Sequence, residues 1–204
     1  MSAREAEASL RKKWDERHAG AEKAPLAAEV LQHNLYLLPA KGRALDLACG
    51  LGGNALLLAR QGLQVSAWDI SPVAIERLQG FAAEEGLQNL SAEVRNVERS
   101  PPPPGRFDLI IVSYYLERAL IPSLIDALRP GGLIYYQTFT RIAVSSLGPQ
   151  DPAYRLDDNE LLRLFNGLHL RFYREENLLG DVLQGIRDVA MLVVEKPPVL
   201  RPAA

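Results

Sequence analysis

The chain of 204 residues has a single cysteine, Cys49, so no disulfide can close within it, and such usage suits a reducing compartment. It has no basic excess either. Its formal net charge is −2, whereas a nucleic-acid surface shows as clustered positive charge. No apolar run approaches the ~18 residues of a membrane span. The opening "MSAREAEASLRKKWDERHAG" is charged throughout, unlike a signal peptide. The expectation is a cytoplasmic chain with no nucleic-acid or membrane partner and no metal site. Histidines number only three, His18, His33 and His169, which leaves few imidazoles for acid–base chemistry.

What is present is enough apolar residue, 48%, for one substantial core. A single domain is expected over 1–204, with 1–40 as an N-terminal helical lid and 41–196 as the core. From Ala44 onward short apolar runs alternate with segments of helical period. "ALDLAC", "QVSAWD", "LSAEVRN", "FDLIIVSYYL" and "LIYYQTF" read as strands, and "NALLLARQG", "SPVAIERLQGFAAEEG" and "IPSLIDALRPGG" as helices between them. Ser71 is placed as an N-cap with Pro72 at the first helical position. "DDNELLRLFNG" reads as a helix, and "LHLRFYREE" and "DVAMLVVEK" as strands with no helix between, which pair most easily antiparallel. The fold class is therefore α/β: a doubly wound, seven-stranded, mainly parallel sheet with an antiparallel C-terminal pair. "PPPPG" at 101–105 reads as an extended surface connection. "PLAAEVLQHNLYLLP" is expected to be one amphipathic helix, and residues 5–18 another.

The informative stretch is "LDLACGLGGNA". From Gly50 it satisfies G-x-G-x-x-G/A, a turn that lets a nucleotide approach the backbone. Asp46 stands four residues earlier, inside the strand, where a charge is costly unless something offsets it. Asp69 ends the next strand, where a carboxylate can accept both ribose hydroxyls. A carboxylate beside the turn would repel a pyrophosphate, and the chain has no Tyr-x-x-x-Lys pair for hydride transfer. An adenosine ligand with positive charge and no phosphate suits the turn better. A carboxylate at a strand end adds little to a core, so Asp69 is expected to serve the ligand alone.

"LDLACGLGGNALLLARQGLQVSAWDIS" and "FDLIIVSYYLERALIPSLIDALRPGGLIYYQTF" resemble the motifs of class I S-adenosylmethionine-dependent methyltransferases, a likeness covering residues 41 to 196. "WDER" at 14–17 and "AWD" at 67–69 resemble the branch with tellurite-resistance and thiopurine methyltransferases. The resemblance implies a Rossmann-like methyltransferase fold, S-adenosylmethionine as cofactor and S-adenosylhomocysteine as product. It places Asp46, Ala48, Gly50 and Gly52 against the methionine part, Asp69 on the ribose and Ile70 on the adenine. Asn96 and the Val97 amide would read the adenine edge, with Asn96 standing where many relatives have Asp. Ser113 would offer its carbonyl to the ammonium.

Cys49 fills a small-residue place in this turn and reads as inert. Methyl transfer needs an acceptor held in line and a base only where the acceptor keeps its proton. Tyr114, Arg118 and His18 are the catalytic candidates. Trp14, Arg17, Tyr115, Phe139 and Arg141 are candidates for the lid and the acceptor mouth. "SYYL" is not the Asn/Asp-Pro-Pro-Tyr signature of amide and exocyclic-nitrogen methylation. Three classes of function stay open: transfer to a small molecule, such as a soft thiol or chalcogen; transfer to a macromolecule; and a non-catalytic nucleotide-binding or NAD-dependent Rossmann protein. Oligomeric state is not legible.

Overall fold

The computed structural model describes residues 3–198. Residues 1–2 and 199–204 of the expected domain and lid lie outside the described residues. Strands β1 (Arg43–Leu47), β2 (Gln64–Asp69), β3 (Leu90–Val94), β4 (Phe107–Ser113), β5 (Leu128–Phe139), β6 (His169–Glu175) and β7 (Val189–Glu195) form one sheet in the order β3-β2-β1-β4-β5-β7-β6. The first five run parallel. β7 lies antiparallel between β5 and β6, closing the expected final pair.

The continuous apolar runs make sense because both faces are covered. Successive strand residues point to opposite sides. Leu45, Leu47, Ile110, Val112, Ile134 and Tyr136 therefore enter one core with helices α5 (Ile121–Ala127) and α6 (Glu160–Leu164). Ala44, Leu109, Ile111 and Tyr135 enter the other, with α2 (Glu29–His33), α3 (Gly53–Arg60) and α4 (Pro72–Glu84). The strand order reverses between β1 and β4, and in such sheets ligands bind over the carboxyl ends of the strands at that switch. Helix α1 (Ala3–His18) packs on α4. "PPPPG" is an extended connection, as expected, crossing from edge strand β3 to β4.

Three elements differ from the sequence reading, one being β5, which begins at Leu128, inside the stretch 121–132 read as a helix and its stop. The single helix expected between Pro25 and Pro39 is instead α2 followed by a 3-10 turn, Leu35–Leu37. Asn34 breaks it: its side-chain amide donates back to the Val30 carbonyl at 2.9 Å, the local competition that makes Asn a helix terminator. β4 stops at Ser113 rather than running through "YYL", because Tyr114 takes a left-handed backbone, φ 57°.

Candidate active site

The turn after β1 is built around Asp46. Its side chain is fully buried, accepting from the Ala55 amide in the first turn of α3 at 3.0 Å and from Asn54 Nδ2 at 3.5 Å. Burial pushes its carboxyl up to about 7, against the lowering effect of those two bonds, and nearby Asp69 adds to the rise. Asn54 links three parts of the site: besides Asp46, its Nδ2 donates to Ser113 Oγ at 2.9 Å and its Oδ1 accepts from the Ala28 amide at 2.8 Å. Ala48 and Gly50 have left-handed backbones, φ 54° and 51°. Gly52 does too, and a Cβ there would stand 2.2 Å from Leu78 of α4. Only glycine lets this turn lie so close to the helix.

Asp69 is also buried. Its two oxygens accept from the amides of Gly50 and Ser71, each at 2.8 Å. It therefore holds the glycine turn to the start of α4, a structural duty the sequence reading did not give it. Burial raises its carboxyl, and the bonds from Ser71 and Gly50 oppose that. Ser71 caps α4 as expected, accepting from the Ala74 amide at 3.1 Å. Its hydroxyl donates to Asp15 of α1 at 2.5 Å, and Arg77 donates to the Ala19 carbonyl at 3.0 Å.

Those bonds lay the end of α1 over the turn. A Cβ added at Gly50 would stand 3.5 Å from the His18 ring, so the imidazole lies over the turn. Burial lowers its pKa, while Asp69 works to raise it. Trp14 stacks on His18 at 5.9 Å, and the Arg17 guanidinium lies 5.7 Å from the Trp14 ring. His18 thus sits on the turn and Asp69, not at the ends of β4 and β5.

Beyond Asp69, Ile70 is half-buried and Val97 buried in the loop after β3. The Asn96 side-chain oxygen accepts from the Glu98 and Arg99 amides at 3.1 and 3.3 Å, so it is engaged in shaping that loop. Tyr115 turns towards the same loop, donating to Glu98 at 3.1 Å. Its hydroxyl is thus tied to the loop that carries Asn96 and Val97. Burial pushes the Cys49 thiol well up, which fits an inert role.

At the ends of β4 and β5, Tyr114 and Phe139 lean together with ring centroids 5.1 Å apart. The Tyr114 hydroxyl donates to Glu29 of α2 at 3.1 Å and accepts from Gln137 Nε2 at 2.8 Å; Gln137 also donates to Glu29 at 2.5 Å. Neither Glu29 nor Gln137 was singled out from the sequence. The one signal was a glutamine in the otherwise apolar "LIYYQTF". The arginines reach this end of the sheet with their charges already met. Arg118 grips Glu160 through two bonds of 2.6 and 2.9 Å, and Arg141 meets Asp157 at 2.5 Å. His33 closes α2 and His169 opens β6. Among the described residues no cluster of metal-binding side chains occurs, and no helix is long and apolar enough to cross a membrane.

Comparison with known proteins agrees with this geometry. Residues 44–132 match a family described as "Methyltransferase domain". The chain is 36% identical over 102 residues to a 2-heptyl-1-hydroxyquinolin-4(1H)-one methyltransferase of Mycobacteroides abscessus, covering 50% of this chain and 41% of that protein. It is 32% identical over 123 residues to a ubiquinone biosynthesis O-methyltransferase of Xanthomonas euvesicatoria, covering 57% and 50%. Among solved structures, TehB from Haemophilus influenzae superposes with a TM-score of 0.68 at 20% identity, covering 90% of this chain and 67% of that one. Residues 44–132 thus match a methyltransferase domain, and the sheet and its covering helices have the fold of TehB. The chain spans about half or less of the length of these two curated relatives.

Proposed function

We propose that this chain transfers the methyl group of S-adenosylmethionine to a small-molecule acceptor. The observation that carries the reading is the pair of buried carboxylates, Asp46 and Asp69, on either side of the Gly50 turn. Such a turn is unfit for a pyrophosphate and suited to a ligand with a cationic end and a ribose. The group fits on the chemistry of these donors. Asp46, near neutrality in pKa, gains most from a nearby ammonium. Asp69 would take the ribose, with Ile70 and Val97 beside the adenine. When bound, the cofactor supplies a methyl carbon already activated by a sulfonium. The protein's part is then to exclude water and hold the acceptor in line. Two curated relatives named for small-molecule acceptors support that acceptor class.

Helix α1 closes the site from the Gly50 side, so its loss should matter more to turnover than to folding. With methyl-labelled S-adenosylmethionine and a cell extract as acceptor source, label is expected in the low-mass fraction. Removing residues 1–20 should cut that labelling at least ~10-fold, because the turn and Asp69 become open to water. Label entering protein or nucleic acid instead contradicts the small-molecule reading.

A further inference from the structure

Glu29 is the centre of a closely tied polar group at the ends of β4 and β5. Its Oε2 takes hydrogen bonds from both Gln137 and Tyr114. Gln137 is fully buried and is fixed in turn, its Oε1 accepting from the Val30 amide at 2.8 Å. Through Ala28 and Asn54 the same helix start is bonded to Ser113, and Asn54 reaches Asp46. The triangle of Glu29, Tyr114 and Gln137 therefore stands in fixed relation to the nucleotide side of the site. The Tyr114 oxygen donates its one hydrogen to Glu29 and accepts one from Gln137, which leaves a lone pair. The side chain is 45% exposed. Its backbone sits at φ 57°, a conformation that costs a bulky residue about 1–3 kcal/mol and clusters at functional sites. Beside it, the Phe139 ring, backed by Gly148, makes an aromatic shelf.

We propose that Tyr114 and Glu29 form a proton relay for a planar acceptor bearing an aryl hydroxyl. This rests on the methyltransferase reading and narrows its acceptor. The ring of the acceptor lies on the Tyr114–Phe139 shelf, and its hydroxyl donates to the remaining lone pair of Tyr114 Oη. As the acceptor oxygen bonds to the methyl carbon, the electron pair of the broken carbon–sulfur bond stays on sulfur. The hydroxyl proton passes to Tyr114 Oη, whose own proton moves to Glu29 Oε2 and then to water. The products are an aryl methyl ether, a thioether and one proton. An oxygen that has begun to bond carbon is strongly acidic, so a carboxylate suffices as the final base. Burial works to raise the Glu29 carboxyl, but bonds from Gln137 and Tyr114 and the charge of His33 on the same helix hold it below its ordinary value, as an anion at neutral pH. A thiolate or chalcogen anion has no proton to give and no use for this relay.

The test uses catechol, un-ionised at pH 7, and thiophenol, an anion there, as probe acceptors, with Glu29→Gln and Tyr114→Phe as variants. Wild-type protein is expected to methylate catechol with a kcat nearly flat between pH 6 and 9. Glu29→Gln should lose about 100-fold in kcat at pH 7, and its residual rate should climb with pH as catechol itself ionises. The loss with thiophenol should be much smaller. Calorimetric affinity for S-adenosylhomocysteine should stay within about twofold in both variants, since a tenfold change requires ~1.4 kcal/mol. Equal losses with both acceptors and no new pH slope would make Glu29 merely structural and overturn the relay. So would a wild-type protein that binds S-adenosylhomocysteine but methylates thiophenol alone, or neither probe. Failure to bind S-adenosylhomocysteine at all would instead defeat the methyltransferase reading itself.

Discussion

Replacing Asp46 with Asn should make the ligand-free protein more stable at pH 8 while weakening its hold on S-adenosylhomocysteine. Asp46 is fully buried, and burial lifts its carboxyl from an ordinary 3.8 to about 7. Because the folded value lies above the unfolded one, the stability linked to this group is fully present below pH ~4. It is lost as pH rises towards ~7, where the unfolded chain has long since released its proton. At ~1.4 kcal/mol per pH unit, the gap between 3.8 and about 7 amounts to ~4 kcal/mol. Asn carries no such dependence and still offers an oxygen to the Ala55 amide. Urea unfolding of both proteins between pH 4 and 8 should therefore show the variant gaining on the wild type across that window. Ligand affinity should run the other way: in the wild type it tightens as pH rises through ~7 and Asp46 ionises, while in the variant it stays weak and flat. Parallel stability curves would mean that Asp46 does not stand as a strained carboxylate awaiting a cation.

Asp69→Ala should cost both binding and folding, whereas Asp69→Asn should cost chiefly binding. The Ala change strips the acceptor from two backbone donors, Gly50 and Ser71. Leaving such donors without partners costs about 1–3 kcal/mol each, so a loss of ~2–6 kcal/mol in unfolding free energy is expected. Ligand affinity should fall by ~2–4 kcal/mol, as the charge-assisted bonds to the ribose go. Asn keeps one oxygen for the turn and loses the charge. If Asp69→Ala unfolds normally and binds S-adenosylhomocysteine as tightly as before, neither duty belongs to this residue.

Much of this architecture was legible because it is local. The β1 turn, the Ser71 cap and the alternation of strands with helices are each written within ten or so residues. The antiparallel end was legible too, because no helix separates the last two strands. What escaped was long-range. Glu29 meets Tyr114 across 85 positions and Gln137 across 108, and helix α2, only five residues long, carries no pattern that announces it. Asp69's second duty escaped for a related reason: its partners are backbone amides, which every residue but proline possesses. The arginines were legible as a group at the mouth but not as spent charges, since Glu160 lies 42 positions from Arg118 and Asp157 16 positions from Arg141, and each pair closes only in the fold.

The most direct measurement of the central claim is ligand-dependent thermal unfolding, with S-adenosylhomocysteine and NAD compared side by side on the wild-type protein. At hundred- to thousand-fold excess over its dissociation constant, S-adenosylhomocysteine should add about 2.7–4.1 kcal/mol of stability. NAD, whose pyrophosphate would lie on the Gly50 turn beside Asp46, should add nothing. Stabilisation by NAD equal to or greater than that by S-adenosylhomocysteine would contradict the account.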